Sequence, residues 1–244
     1  MKTTVNPNAV VAATAQAVAL VPRSIGLFAE SSSAMFYVTR AFRELHIAPY
    51  CRLSMHYGSM GHALAGALGF CAATGSRAVV VTGDGSFDLM NPMRAAVKHG
   101  LLLTIIVLND SRLGLPYFGS ARIGATHAQE TTHLAHRDYT CQGLPQVRGR
   151  RVDEPTDLDD AVAEALAADG CYVLDVQIDP EVTPPVGARL DSVDAMFGSA
   201  GEDAAPRPCA EARPEATTAA RRPAPVPSTV VGGVAPSTDG GVLQ

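Results

Sequence analysis

Two aspartates follow two apolar runs that are typical of buried strands. Asp84 comes shortly after residues 78–81, Ala-Val-Val-Val, and Asp110 comes shortly after residues 104–108, Thr-Ile-Ile-Val-Leu. Both runs predict buried parallel strands, and the helical pattern of residues 89–99 between them predicts one βαβ unit. Because ligands of open α/β sheets lie at the carboxyl ends of the strands, we expect both carboxylates at one edge. Two oxygen ligands there suit Mg²⁺, which prefers oxygen and shares its shell with phosphates.

Glycines flank the first of these aspartates. Gly83 and Gly85 lack a Cβ, so the backbone can come close to a phosphate, and the start of the next helix offers free N–H groups to an anion. An acidic turn in an ordinary doubly wound domain is the alternative interpretation of Gly-Asp-Gly taken alone.

The whole stretch resembles the signature of thiamine-diphosphate (ThDP) enzymes, which is Gly-Asp-Gly-Ser, a spacer, and a pair of Asn or Asp. The two aspartates of this chain are 26 positions apart, close to the family's spacing. The resemblance implies that the side chains of Asp84 and Asp110 and the backbone carbonyl of Arg112 hold Mg²⁺, with two diphosphate oxygens and a water. The second pair position is most often Asn in the family, so Asp110 adds a negative charge. The cofactor-binding residues implied here are Gly83, Asp84, Gly85, Ser86, Asp110, Arg112, Leu113 and Gly114.

A second segment, residues 58–61 (Gly-Ser-Met-Gly), resembles the family's turn that holds the aminopyrimidine ring. By that resemblance, the Gly58 carbonyl accepts from the 4′-amino group and the Met60 N–H donates to the ring. The Met60 side chain would lie between the two rings of ThDP and bring the 4′-imine next to the thiazolium C2 proton, a proximity effect. Taken alone, the segment also fits a tight turn that opens a helix.

A third segment, Glu30-Ser31-Ser32-Ser33, follows the first predicted strand. It resembles the Glu-Ser-Thr-Ser segment of benzoylformate-decarboxylase-like members, whose hydroxyl and N–H groups bind the diphosphate. Ser32 and Ser33 are the positions carried over. A serine-rich helix N-cap is the alternative, and the two interpretations are compatible. The resemblance as a whole covers residues 24–191.

Histidines near these segments could act as acid or base on a substrate. His56 and His62 flank the aminopyrimidine turn and are the candidate acid–base groups. A surface or loop position is the alternative for each, as it is for the remaining histidines of this region, His127, His133 and His136.

Strand-like and helix-like segments alternate through residues 1–196. This alternation predicts an α/β fold, a doubly wound, mostly parallel sheet with helices on both faces, which is the ThDP-binding fold by resemblance. Residues 197–244 are dominated by Ala, Pro, Gly, Thr and Arg and are predicted to be a disordered tail. The segments expected to be helical are 6–19, 34–45, 63–73, 89–99, 130–142 and 156–168, and residues 115–128 are expected to form a long loop.

Composition excludes several classes of function. The net charge is −5 without a basic patch, so nucleic acid is not implied. The five cysteines are odd in number and lack metal-binding spacing, which indicates reduced thiols and a cytoplasmic location. No apolar run reaches transmembrane length. The apolar residues 10–21 are interrupted by Thr14 and Gln16, which favours a helix over a signal peptide.

One part that the resemblance requires is missing. In the family, a glutamate of a separate pyrimidine-binding domain protonates the aminopyrimidine. Only 57 residues precede Gly58, fewer than the ~100–200 of a typical domain, and Glu30 lies at the diphosphate end. We therefore expect the diphosphate- and Mg²⁺-binding subunit of a split enzyme, with the glutamate on a partner chain. Two-chain sulfopyruvate and phosphonopyruvate decarboxylases resemble this arrangement.

The reaction that the resemblance implies is decarboxylation of a small 2-oxo acid. An acetolactate-synthase-like carboligase is the alternative. The two reactions differ only in whether the enamine that remains after loss of CO₂ is protonated or added to a second carbonyl. A non-catalytic partner that regulates or scaffolds a full-length ThDP enzyme is an alternative of another class. A pyrimidine-domain protein encoded by the neighbouring reading frame would favour the split enzyme.

Overall fold

The structure, a computed structural model, describes residues 4–21, 25–45, 58–187 and, by backbone alone, 51–53. The described residues all belong to one compact unit, Met1–Pro206. His56 and the predicted tail, residues 197–244, lie outside the described residues. The boundary between domain and tail therefore stays a prediction.

One sheet forms the centre of the described residues. Its strands are β1 (Gly26–Ala29), β2 (Cys51–Leu53), β3 (Ala78–Gly83), β4 (Leu103–Asn109), β5 (Val147–Val152) and β6 (Cys171–Gln177). The spatial order is β2-β1-β3-β4-β6-β5, and every pair is parallel. The predicted α/β class with a parallel sheet is confirmed.

Helices cover both faces of this sheet. They are α1 (Pro7–Leu20), α2 (Ser33–Leu45), α3 (His62–Thr74), α4 (Asp84–Leu89), α5 (Met93–Lys98), α6 (Gly114–Arg122), α7 (Ala128–Thr132) and α8 (Leu158–Ala167). Helices α1, α2 and α8 pack on the face that carries Val81 and Ile106. Helices α3, α4 and α5 pack on the other face, against Val80 and Ile105. Burial on both faces explains why β3 and β4 are continuous apolar runs.

Four predicted segments differ from the structure. The helix predicted at 89–99 is wrong, because residues 90–92 separate α4 from α5. There the Asn91 side chain accepts a hydrogen bond from the Met93 N–H, and Pro92 has no N–H to continue a helix. The long loop predicted at 115–128 is wrong, since α6 forms over most of its first half.

The helices predicted at 130–142 and 156–168 are wrong in extent. Helix α7 ends at Thr132, and His133 turns extended to form a β-bridge with Arg112. The last helix begins at Leu158 after a 3₁₀ turn that contains Thr156, so Thr156 does not cap it. At residues 133–142 a contact with a distant part of the chain overrides the local pattern.

A buried glutamate ties the first strand to the third helix. Glu30 follows β1 and is fully buried. Its carboxylate accepts hydrogen bonds from the N–H groups of Ser31 at 2.8 Å and of Leu64, in the first turn of α3, at 3.1 Å. A negative charge at a helix N-terminus is favourable. This contact fixes α3, and with it the turn at residues 58–61, relative to the sheet edge.

We predict that Glu30→Gln lowers the free energy of unfolding by about 1.5–3 kcal/mol, because one N–H donor then faces an amide NH₂ group in place of an oxygen. Denaturant unfolding at neutral pH measures the difference. The control is Glu44→Gln, whose exposed side chain pairs with Arg40 on the surface of α2 and should change stability by less than about 0.5 kcal/mol. Equal effects of the two substitutions would contradict the assignment.

Candidate cofactor-binding site

A pocket of about 270 Å³ lies at the carboxyl ends of β1, β3 and β4. The structure brings together in its wall all twelve residues that the sequence assigns to cofactor binding. They are Ser32, Ser33, Gly58, Met60, Gly83, Asp84, Gly85, Ser86, Asp110, Arg112, Leu113 and Gly114. The pairing of the strands explains why these residues lie together. Gly83, at the end of β3, pairs with Leu108, near the end of β4, so the segments that follow the two strands leave the sheet at the same level.

Asp84 is held at the base of this pocket by backbone donors. Its side chain accepts hydrogen bonds from the N–H groups of Gly85 at 2.8 Å and Arg112 at 3.3 Å. The second contact links the end of β3 to the loop after β4. Burial, and then the nearby Asp110, raise the pKa of Asp84 to about 7.

Asp110 lies beside it with a side chain that is 11% exposed. Burial raises the pKa of Asp110 to about 6, and the Arg112 guanidinium opposes that rise. Its Oδ2 is 3.7 Å from Arg112 Nε. Two buried carboxyl groups that both resist ionisation form a site that a divalent cation would stabilise.

Among the described residues, no third carboxylate or imidazole is placed to bind such a cation together with Asp84 and Asp110. The described residues contain no cluster of three or more His, Cys, Asp and Glu side chains placed to hold a metal ion. A cation between Asp84 and Asp110 would therefore depend on backbone carbonyls, water and oxygens of a bound ligand. This donor set fits Mg²⁺, which retains waters and shares its shell with phosphates.

The serine segment and Ser86 add hydroxyl groups to the same wall. Ser32 Oγ accepts a hydrogen bond from the Ala34 N–H at 3.2 Å at the start of α2, so the predicted N-cap interpretation is confirmed. Ser86 is 2% exposed, and its Oγ has no hydrogen-bond partner among the described residues. Because unpaired buried polar groups are costly, an acceptor such as a phosphate oxygen would satisfy this hydroxyl.

Two glycines of the signature are required by close packing. A Cβ on Gly85 would lie 2.5 Å from Leu113 Cδ2, and a Cβ on Gly114 would lie 2.9 Å from Ser33 Oγ. The sequence argument gave Gly85 a role in phosphate approach, whereas here its missing Cβ admits the Leu113 side chain. Gly114 lets the loop after β4 meet the serine segment after β1.

The aminopyrimidine turn depends on backbone conformation. Gly58 and Gly61 have φ values of 60° and 87°, in the left-handed region that favours glycine. Met60 between them lines the pocket and is 44% exposed. A large apolar side chain held at the pocket mouth fits the part that the sequence assigns to Met60.

A buried hub, a group of hydrogen-bonded residues centred on Asp175, lies behind the loop that carries Asp110. The sequence argument missed it. Asp175 in β6 is fully buried and accepts hydrogen bonds from Asn109 Nδ2 at 2.9 Å and the Tyr139 N–H at 3.0 Å. Asn109 Oδ1 in turn accepts from the Ser111 N–H, and Ser111 has a φ of 55°. The hub therefore shapes the turn that presents Asp110. A lone aspartate within the apolar run of β6 was the available signal.

The histidines fall in different places. His62 is exposed and does not line the pocket, so its acid–base role stays a prediction, and His56 lies outside the described residues. His136 lies in a neighbouring polar cleft of about 580 Å³ that shares Asp110 with the pocket. Its Nδ1 is 3.1 Å from Ser111 Oγ and its Nε2 is 3.3 Å from Arg151 Nη1. The sequence argument had left His136 among the surface histidines.

We predict that Asp84→Asn stabilises the metal-free protein more as the pH rises from about 4 to about 8. The pKa of Asp84 is about 7, against an ordinary value of 3.8, so in this range the folded state keeps a proton that the unfolded chain has released. Wild-type stability is therefore lost as pH rises, and Asn removes that loss.

Thermal unfolding of both proteins in EDTA across this range gives the difference in Tm. Asp159→Asn, an exposed position on α8, is the control and should show no trend. A difference between Asp84→Asn and wild type that is constant or shrinks with pH would contradict the prediction.

None of the helices in the described part of the chain combines the length and apolar character that a membrane crossing requires. The predicted cytoplasmic location goes beyond this finding and stays a prediction.

Comparison with known proteins places this site in a family. Residues 32–176, more than half of the chain, match the family described as thiamine pyrophosphate enzyme, C-terminal TPP binding domain. Thiamine pyrophosphate is another name for ThDP. The matched residues include the serine pair, the turn with Met60 and both aspartates. The enzymes of this family use Mg²⁺ together with ThDP, so both expected cofactors are those of the family.

Curated relatives agree with the family. A protein of Mycobacterium tuberculosis named as an acetolactate synthase large subunit is 34% identical over 143 residues, which are 54% of this chain and 24% of that protein. A Bacillus subtilis protein named as thiamine pyrophosphate-containing is 30% identical over 57% of this chain and 24% of its own length. The chain thus spans about a quarter of the length of these relatives.

A solved structure supports the fold. The crystal structure of benzoylformate decarboxylase from Polynucleobacter necessarius superposes with a TM-score of 0.61 at 24% identity, over 73% of this chain and 34% of that one. At this identity the likeness concerns the fold alone. The sequence match, the fold and the pocket together lead to one conclusion: the chain belongs to the family of ThDP enzymes, as a C-terminal ThDP-binding domain.

Proposed function

We propose that this chain is the diphosphate- and Mg²⁺-binding subunit of a split ThDP-dependent enzyme that decarboxylates a small 2-oxo acid. The observation that carries the proposal is one pocket that holds the buried carboxyl group of Asp84, the largely buried one of Asp110, the serine segment and the Met60 turn. The family match supplies the identity of the cofactor.

The metal ligands in this proposal are the side chains of Asp84 and Asp110 and the backbone carbonyl of Arg112. Burial raises the pKa values of the two carboxyl groups to about 7 and about 6, so their charged forms are disfavoured relative to those of exposed aspartates. A bound Mg²⁺ favours their charged forms and gives the diphosphate a positive partner.

The anion contacts come from hydroxyl groups at the same edge of the sheet. Ser32 and Ser33 lie after β1, and Ser86 lies in α4 after β3. The unpartnered Ser86 hydroxyl is the strongest of these, since it has no competing acceptor among the described residues. We assign it to a diphosphate oxygen.

When bound, ThDP supplies an acidic thiazolium C–H and an electron sink for decarboxylation. The chain's own residues hold and shield it. The Gly58 carbonyl and the Met60 N–H would hold the pyrimidine, and the Met60 side chain would help to set the conformation in which the cofactor is held. Leu113, Leu115 and Pro116 line the pocket with apolar groups and exclude water from the reacting side.

The glutamate that protonates the pyrimidine is assigned to a partner chain with a pyrimidine-binding domain. Glu30 is engaged with backbone N–H groups and does not line the pocket. The chain corresponds to about a quarter of the length of its curated relatives, and this proposal assigns the remaining functions of those proteins to a different part of the assembly. We place them on a separate polypeptide in a cytoplasmic hetero-oligomer.

A carboligase subunit is the second candidate. Two curated relatives, the M. tuberculosis protein and one of Methanococcus aeolicus at 27% identity, carry the name of acetolactate synthase large subunits. Product analysis of the assembled enzyme separates the two, because a decarboxylase releases an aldehyde and a carboligase releases a 2-hydroxy-3-oxo acid. A non-catalytic partner would release neither.

We predict that Asp84→Ala abolishes Mg²⁺-dependent ThDP binding, with a loss in affinity of more than about 100-fold, since even groups behind the ligands cost about 10- to 100-fold. Asp110→Asn should be mild, because an amide oxygen still reaches the cation. Calorimetric titration of ThDP with and without Mg²⁺ measures both, and Asp159→Ala on α8 is the control. Unchanged affinity in Asp84→Ala would refute the metal assignment.

We predict that the chain alone shows neither accelerated exchange of the ThDP C2 proton nor turnover of a 2-oxo acid, because the pyrimidine lacks its proton donor. Addition of a pyrimidine-domain partner should restore both, and Met60→Ala should then lower turnover more than cofactor affinity. NMR exchange measurements on the purified chain provide the test. Rapid exchange without a partner would show that the chain itself activates the cofactor and would end the split-enzyme proposal.

A further inference from the structure

The side chain of Arg112 is buried at the pocket, between three parts of the fold. It is 3% exposed, and its Nε lies 3.7 Å from Asp110 Oδ2. Its Cζ lies 3.8 Å from the ring centroid of Tyr117 in α6, a cation–π contact. Its Nη2 donates to the carbonyl of Pro180, and Nη1 is 4.0 Å from the exposed carboxylate of Glu181.

One donor of this guanidinium is unused. Arg112 Nε is buried and has no hydrogen-bond acceptor among the described residues, since 3.7 Å to Asp110 exceeds a hydrogen bond. A buried donor without a partner is costly and calls for a compensating gain. The gain available here is electrostatic, because the nearest charged group to Nε is the Asp110 carboxylate.

The charges of the pocket are unequal without a metal. Two buried carboxylates, Asp84 and Asp110, stand against one buried guanidinium. Removing the Arg112 guanidinium would leave the Asp110 carboxylate without its charged partner at a largely buried position, which is more destabilising than losing a surface ion pair. A neutral side chain at position 110 would leave Arg112 with much less to compensate.

We propose that the Arg112 side chain is the counter-cation of Asp110 in the metal-free protein and a positioning residue for the rim of the pocket. It neutralises Asp110 when no metal is bound, and through Tyr117 and Pro180 it holds α6 and the segment after β6 beside the pocket. The inference rests on the proposed role of Asp84 and Asp110 only for what happens when Mg²⁺ arrives.

Metal and guanidinium then act on the same carboxylate. Because the Arg112 guanidinium already neutralises Asp110, it weakens the binding of Mg²⁺ to the same carboxylate. By the same linkage, bound Mg²⁺ reduces the stabilisation that the guanidinium provides. Arg112 therefore stabilises the metal-free site and lowers its affinity for Mg²⁺ alone.

A double-mutant cycle in metal-free buffer tests the proposal. Thermal unfolding is measured in EDTA at pH 8 for the wild type, Arg112→Gln, Asp110→Asn and the double variant. Arg112→Gln should lower Tm by about 5 °C or more when residue 110 is Asp, and by less than about half of that when it is Asn. Equal losses in the two backgrounds would show that Arg112 acts only through packing, and would overturn the proposal.

Two further variants serve as controls for the double-mutant cycle. Arg137→Gln is the matched control, since Arg137 pairs with Asp88 at 2.8 Å and lies over the Tyr139 ring on a more exposed surface. Its loss in Tm should be the same in both backgrounds. Arg112→Lys keeps the charge and loses the planar fork, so it should retain most of the stability. A loss as large as that of Arg112→Gln, or failure of both to fold, would overturn the role as counter-cation.

Addition of MgCl₂ alone separates this proposal from the metal assignment. Mg²⁺ should raise the Tm of Arg112→Gln more than that of the wild type, because it replaces the missing charge. An equal or smaller rise in Arg112→Gln would count against the counter-cation. If Mg²⁺ raises the Tm of none of the four proteins while the coupling persists, the counter-cation stands and the metal assignment fails.

Discussion

The site depends on two carboxyl groups buried side by side at the ends of adjacent parallel strands. Parallel pairing of β3 with β4 places Asp84 and Asp110 at one level of the sheet, and burial raises both of their pKa values. Neither group is stable there as an anion without a partner. The surrounding structure can be understood as a set of donors and cations that make this placement possible.

The hydrogen-bond donors to Asp84 are backbone N–H groups, whereas the positive charge beside Asp110 belongs to a side chain. N–H groups of Gly85 and Arg112 bind Asp84, while the Arg112 guanidinium lies beside Asp110. Behind them, Asp175 holds Asn109, which shapes the turn at Ser111 with its positive φ. Strain and buried charge of this kind are commonly retained where ligands bind.

Among the described residues, the pocket lies at one edge of the sheet. Its lining includes serines, glycines and the Met60 turn, and Met60 remains 44% exposed. A partner domain over this face would cover Met60 and close the pocket to water.

The local sequence was sufficient for the parts that depend on short-range pattern. Two β-branched runs ending in Gly-Asp-Gly-Ser and Asn-Asp predicted β3, β4 and the placement of both aspartates at one edge. Helix α2 was likewise predicted from its own residues, at 34–45 against the observed Ser33–Leu45. These features are local, because a buried strand or an amphipathic helix is fixed mainly by its own residues.

The tertiary structure decided what depends on distant partners. Residues 114–122 form α6 beside the buried Arg112, whose guanidinium contacts Tyr117, and residues 133–142 leave the helix because His133 pairs with Arg112. The side-chain contacts of Arg112 and Asp175 could not be predicted from the sequence, since each acts on residues that come near only after folding. The sequence by itself determined which groups could bind a cation and a diphosphate, whereas the fold determined which other charges hold those groups in place, because Coulomb interactions and burial depend on distance in space.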